Sequence, residues 1–222
     1  PILLAEIRTH IRLDRAPSYA QDVAARPVLA KAYASDIRED IGGVPIAREG
    51  LVEAAEASAE KFQFVNLSGL PGCGKSVVLR RVVERAIAKG PVLFLKSDRL
   101  AAVSWTAFAQ AHGLKHLAAK DLLAEIGAAG APILFIDGVD RVKPADRGVI
   151  TDLLHAIAAE PALSHWRVMA SSRDQGLEAF RQWLPPSAYR ATGIGDVPVG
   201  LLDAAESEAL SEARPYLRAL LF

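Results

Sequence analysis

Short apolar runs recur along the chain, each closed by glycine, proline or a charged residue. They are Phe62, Phe64, Val65 and Leu67; then Val92, Leu93, Phe94 and Leu95; then Ile133, Leu134, Phe135 and Ile136; then Trp166 to Ala170. Runs this short, apolar at nearly every position, read as strands buried on both faces. A weaker strand is expected somewhere in 189–199. Between the runs the spacing turns helical. Val78, Leu79, Val82, Val83, Ala86 and Ile87 share one face, with Arg80, Arg81, Glu84 and Arg85 on the other. Further helices are expected over 27–40, from Gly50 to about Glu60, over 98–112 and 115–129, from Pro144 to Ala159, and over 175–184. Asp203 and Glu206 are spaced as a capping box for a helix to about Ala213, and Pro215 opens a last one. Strands alternating with helices predict a mainly parallel sheet of about five strands, covered on both faces: a three-layer α/β/α fold.

The first strand runs into Gly69, Leu70, Pro71, Gly72, Cys73, Gly74, Lys75 and Ser76. This is the phosphate-loop pattern, set between a strand and a helix as its chemistry requires. Glycines let backbone N–H groups approach a polyphosphate closely, and the helix beginning near Lys75 directs its positive end at it. Lys75 is placed to reach the β- and γ-phosphates, the Ser76 hydroxyl to ligate Mg²⁺, and Val77 to line the site. The fold expected is therefore that of a P-loop NTPase, with a nucleoside polyphosphate and Mg²⁺ as its ligands.

Composition narrows the partners. Lys plus Arg, 26, equals Asp plus Glu, 26, so no overall field draws the chain to nucleic acid or anionic lipid. Residues 1–45 carry six basic and six acidic groups and are no basic arm. The single cysteine, Cys73, excludes a disulfide framework and fits a reducing, cytoplasmic setting. Within the loop it reads as a small residue chosen for size. No apolar run reaches the ~18 residues of a membrane span. Pro1 and an apolar helical pattern running to Phe222 suggest a piece of a longer chain.

A phosphate loop needs an acidic partner. Asp137 ends an apolar strand, where a carboxylate can hold Mg²⁺ through water. Asp140, three residues on, is the candidate that orients the attacking water. Arg173 follows the strand that ends near Ala170 and is the candidate γ-phosphate contact. Lys75, Asp137, Asp140 and Arg173 thus form the expected catalytic set, with Ser76 and Asp137 as metal ligands. His112 and His116 have i,i+4 spacing, but Gly113 breaks the helix between them and no acidic partner follows.

Three segments together resemble the STAND NTPases, the signal-transduction class that includes NACHT and NB-ARC proteins. They are Gly69 to Ser76, Ile133 to Asp140, and Val168 to Asp174; Gly138 with Asp140, and Ser171-Ser172-Arg173, are the more specific parts. Ile46, Ala47, Arg48 and Glu49 resemble the hydrophobic-Gly-Arg-Glu element that in the family lies near the adenine, so Arg48 joins the expected nucleotide contacts. The resemblance spans about 44–222. Two positions depart from it: Ala47 replaces the usual glycine, and Arg141 stands where NACHT proteins often carry a second acid, which argues against efficient hydrolysis. The residue that would touch nucleotide from the C-terminal helical module is unclear from sequence, Pro215 being the only suggestion.

The resemblance implies an ATP/ADP switch in a larger signalling or defence protein, with bacterial antiviral immunity among the settings. Hydrolysis would be slow, and nucleotide would control homo-oligomerisation. The expected layout is a helical flank over 1–43, a P-loop NTPase domain over 44–200, and the start of a C-terminal helical module over 201–222. One alternative is an AAA-type motor or loader acting on nucleic acid or protein, which needs an arginine finger in trans, with Arg141 and Arg147 as candidates. Another is a scaffold that holds nucleotide without turning it over.

Overall fold

The computed structural model describes residues 20–46, 48–114, 117–128, 130–173, 181, 183–185 and 193–217. The apolar runs form five strands: β3 (Phe64–Ser68), β4 (Val92–Lys96), β5 (Ile133–Asp137), β6 (Arg167–Ser171) and β7 (Ile194–Pro198), all in one sheet of order β4-β5-β6-β3-β7. Every pairing is parallel. The carboxyl ends of β3, β5 and β6 therefore open along one edge, where ligands of such sheets bind. A short antiparallel hairpin, β1 (Asp40–Ile41) and β2 (Val44–Pro45), turns at Gly42-Gly43, where the sequence signals a turn.

The helices are α1 (Ala20–Ser35), α2 (Glu49–Lys61), α3 (Lys75–Lys89), α4 (Trp105–Ala111), α5 (Ala119–Gly127), α6 (Arg147–Ala159) and α7 (Ala204–Ala213). Alternate strand residues face opposite layers. On one face Leu93, Leu95, Leu134, Ile136 and Val168 pack against Trp105, Phe108, Leu122, Ile126, Ile150 and Leu153 of α4, α5 and α6. On the other Val65, Leu67, Phe94, Phe135 and Met169 meet Val52, Val78, Leu79, Val82 and Val83 of α2 and α3. Each fully buried Leu, Ile, Val or Phe contributes about 1.5–3 kcal/mol. Ala30 and Ala34 of α1 are buried in the second layer, and Tyr33 meets the edge of Phe94 at 6.3 Å.

Several boundaries shift from expectation. The helix foreseen from Pro27 is already formed at Ala20, the first described residue. That foreseen over 98–112 begins only at Trp105, because the Ser104 side chain accepts the Ala107 N–H and caps it there. Pro144 opens a 3₁₀ turn that leads into α6 at Arg147. The Asp203–Glu206 capping box forms as read. Pro215 opens a 3₁₀ turn over Pro215–Leu217. The first part of the helical flank, residues 1–19, most of the helix expected over 175–184, and Ala47, His116 and Asp174 lie outside the described residues.

Candidate functional site

The turn between β3 and α3 is shaped by backbone that other residues would not adopt. Gly69 has φ 151°, and a Cβ there would press on the Val199 carbonyl and stand 2.8 Å from Cys73 Sγ. Cys73 is buried in the second core layer, which makes it a packing residue of the loop. Lys75 Nζ folds over the turn and donates to the carbonyls of Gly69 (2.7 Å) and Leu70 (2.8 Å). Leu70 itself is exposed. Val77 and Val78 both donate their N–H groups to the Gly74 carbonyl as α3 begins. The first N–H groups of a helix lack intrahelical acceptors and favour an anion.

Asp137 closes β5 and is buried. Its Oδ1 accepts the Ser76 hydroxyl at 2.9 Å and the Ser171 hydroxyl at 2.8 Å. Ser171 Oγ in turn accepts the Gly138 N–H at 2.8 Å. The serine of α3 and the aspartate of β5 are thus brought together across the sheet edge, as their spacing from the apolar strands implied. A hydroxyl and a carboxylate are hard oxygen donors. Among the described residues no group of three or more His, Cys, Asp or Glu could hold a metal. This set fits Mg²⁺, which takes one or two protein oxygens plus phosphates and water, and does not fit a metal caged wholly by protein. Ser171 was given no role by sequence reasoning. Its signals were its place in the Ser171-Ser172-Arg173 segment of the resemblance and a small polar residue ending the strand that pairs with β5.

Asp140 lies in a 3₁₀ turn, Val139–Arg141, just past Gly138. Its Oδ2 is 3.2 Å from Arg173 Nε, and its Oδ1 accepts the Arg173 backbone N–H at 3.2 Å. Arg141 Nη2 stands 3.4 Å from Asp137 Oδ2. Pro71, Lys75, Ser76, Gly138, Asp140, Arg141, Ser171 and Arg173 all line one cavity of about 290 Å³.

A second cavity, about 500 Å³, lies on the other side of the loop. Ile41 and Ile46 of the hairpin, Gly72, Cys73 and Gly74 of the loop, Val77, and Leu201, Leu202 and Ser207 line it. It shares Arg38, Gly72, Gly74 and Val77 with the first. Arg38 also pairs bidentately with Asp40 at 3.1 Å, which raises the arginine pKa and holds the Asp40 carboxyl below its ordinary range. Pro215 lines neither cavity. The hairpin isoleucines and the Leu201-Leu202 pair escaped sequence reasoning, because only folding sets them opposite the loop.

Arg48 touches this second cavity, and its guanidinium is fully engaged. It donates to the carbonyls of Cys73, Gly200 (2.9 Å) and Leu201 (2.7 Å), and twice to the Glu206 carboxylate (3.1 and 3.0 Å). Those five bonds use all five guanidinium N–H groups. Its backbone is left-handed, φ 50°, the only non-glycine with positive φ among the described residues. Such strain costs on the order of 1–3 kcal/mol and persists only where the surroundings impose it. Glu206, read from sequence as a helix cap, is also the anionic partner of Arg48.

His112 ends α4 with its ring stacked on Phe108 at 4.0 Å. Among the described residues no helix is long and apolar enough to cross a membrane.

Comparison with known proteins bears on the whole of this edge. A search of curated proteins finds no match. Among solved structures, the chain is similar to the Walker-type ATPase paby2304 of Pyrococcus abyssi at 14% sequence identity and a TM-score of 0.49. The similarity covers 78% of this chain and 58% of that one, so the chain spans less than two thirds of that protein's length. The model of the ATPase family associated with various cellular activities matches residues 65–179, just over half of the 222 residues. That span runs from β3 through the phosphate loop, Asp137, Asp140 and Arg173, and the chain belongs to this family, the AAA P-loop ATPases, whose members bind and hydrolyse ATP.

Proposed function

We propose that this AAA module is an ATP/ADP-responsive switch of the STAND kind, part of a larger signalling or defence protein. The observation that carries it is the Arg48 tie. One buried guanidinium joins the phosphate loop at Cys73, the segment after β7 at Gly200 and Leu201, and α7 at Glu206. A change at the loop is therefore mechanically connected to the C-terminal helix. In this reading 1–43 flanks an NTPase domain over 44–200, and 201–222 begins the helical module that moves.

ATP would lie across the two cavities. The base would rest against Ile41, Ile46 and Leu201 in the larger. The phosphates would lie over Gly69 to Ser76 in the smaller. Lys75, now turned onto the Gly69 and Leu70 carbonyls, would swing its ammonium to the β- and γ-phosphates. Mg²⁺, when bound, neutralises phosphate charge, and Ser76 and Asp137 are the residues that would hold it. Asp140 would orient water for attack on the γ-phosphate, and Arg173 would contact the γ-phosphate. A contact present with ATP and lost with ADP can shift a two-state equilibrium; one made equally to both cannot.

The second reading is an AAA-type motor or loader, and the family match favours it directly. A motor needs an arginine offered to a neighbouring subunit. Of the two candidates, Arg147 stacks over the Trp183 ring at 5.3 Å and Arg141 faces Asp137 of its own chain. Both are engaged within this chain, which favours the switch. Turnover with and without nucleic acid or protein polymer separates the readings. Slow, unstimulated hydrolysis by protein that co-purifies with ADP supports the switch; fast, polymer-stimulated hydrolysis supports the motor.

A further inference from the structure

Arg141 follows the Gly138 turn, and its guanidinium lies against that turn. A Cβ on Gly138 would lie 2.7 Å from Arg141 Cζ, so the guanidinium occupies the space beside the Gly138 Cα. Gly138 also has φ 71°, a left-handed backbone that favours glycine there. From that seat Arg141 Nη2 reaches to 3.4 Å of Asp137 Oδ2, while Oδ1 is taken by the two serine hydroxyls. Asp137 is buried and Arg141 about half exposed, so one side of the pair is poorly solvated. The carboxylate that would hold Mg²⁺ thus already has a positive neighbour on its other oxygen. The smaller cavity is rich in positive charge, with Arg38, Lys75 and Arg173 also on its wall.

We propose that Arg141 is a resident counter-ion of Asp137 that competes with Mg²⁺ and partly replaces it toward the phosphates. This rests on the nucleotide-site reading above. Two effects follow, and they act in the same direction. Arg141 weakens Mg²⁺ binding, because a dication near a guanidinium is repelled. It also strengthens metal-free nucleotide binding, because a cation already faces the phosphates. Both reduce the benefit that Mg²⁺ brings to ATP affinity.

The test is calorimetric ATP affinity with Mg²⁺ and with EDTA, for wild type, Arg141→Ala and Arg141→Lys, with melting curves to show each variant is folded. The ratio of the EDTA dissociation constant to the Mg²⁺ one should rise at least tenfold in Arg141→Ala and stay within threefold of wild type in Arg141→Lys. In an Asp137→Asn background the Arg141→Ala change should raise the ratio by clearly less than in wild type, because only the contribution made directly to the phosphates remains. An unchanged or lower ratio in Arg141→Ala, a lysine variant that behaves as alanine, or an equal rise in the Asp137→Asn background would overturn the counter-ion role while leaving the nucleotide site intact. Wild type that binds no ATP in either buffer would overturn both.

Discussion

Arg173 and Asp140 hold one another twice, through a guanidinium Nε 3.2 Å from Oδ2 and through the Arg173 backbone N–H on Oδ1 at 3.2 Å. The residue assigned to the γ-phosphate and the residue assigned to the attacking water are therefore a pair, positioned by two neighbouring strand ends. An arginine that turns toward the γ-phosphate weakens its side-chain pairing with Asp140 and frees that carboxylate for water. γ-Phosphate contact and base availability would then be linked.

Asp140→Asn should leave ATP affinity nearly intact and lower turnover at least tenfold, about 1.4 kcal/mol in the barrier. Calorimetry and steady-state phosphate release check the two halves. Turnover at the wild-type rate would remove Asp140 from the mechanism.

Lys75→Ala should weaken ATP binding at least tenfold, ~1.4 kcal/mol or more. The ammonium seats only 2.7 and 2.8 Å from loop carbonyls, so its loss removes charge without opening the core. Unchanged affinity in a folded variant would contradict the phosphate-loop assignment.

The sequence made the phosphate loop and four strands legible because their signals are local: glycine spacing in one case, uninterrupted apolar runs in the other. Asp137 was legible for the same reason, as the acid that ends such a run. The role of Arg48 was not, since Glu206 is 158 residues away and the Gly200 carbonyl 152. Resemblance placed Arg48 beside the nucleotide; in the fold it borders the second cavity and spends its five donors on protein. Ser171 was singled out only as part of the Ser171-Ser172-Arg173 segment and given no role, because its contact with Asp137 shows only once β6 is known to lie between β3 and β5. The helix start at Trp105 was misjudged because the Ser104 cap that fixes it was not read.

Arg48→Ala should destabilise the fold by about 3 kcal/mol, since a part-buried carboxylate and three carbonyls lose their donor together. Glu206→Gln should cost less, about 1 kcal/mol, because it keeps an acceptor oxygen. Thermal melts compare the two. Equal, negligible shifts would show that the tie between loop and α7 carries no energy.

Glu56 of α2 pairs with Lys89 at 2.7 Å and Arg85 at 3.0 Å of α3. The Lys89 bond first, then Arg85, holds its carboxyl below the ordinary range against the opposing effect of burial. A depressed folded pKa contributes stability that is present above the unfolded value, about 4.3, and lost as pH falls through the folded one. The pair is largely solvated, so its worth is about 0.2–1 kcal/mol. Glu56→Gln should lower the melting temperature at pH 7 and lose that difference as the pH drops below 4. A difference that grows on acidification would contradict the pairing.

The switch stands or falls on Arg173. The measurement is paired calorimetry of wild type and Arg173→Ala, with ADP and with a non-hydrolysable ATP analogue. The expected result is a loss of about 1–3 kcal/mol for the ATP analogue, the worth of a charge-assisted hydrogen bond, and little change for ADP. Equal losses for both ligands would make Arg173 a structural partner of Asp140 and leave the module without a sensor of the γ-phosphate.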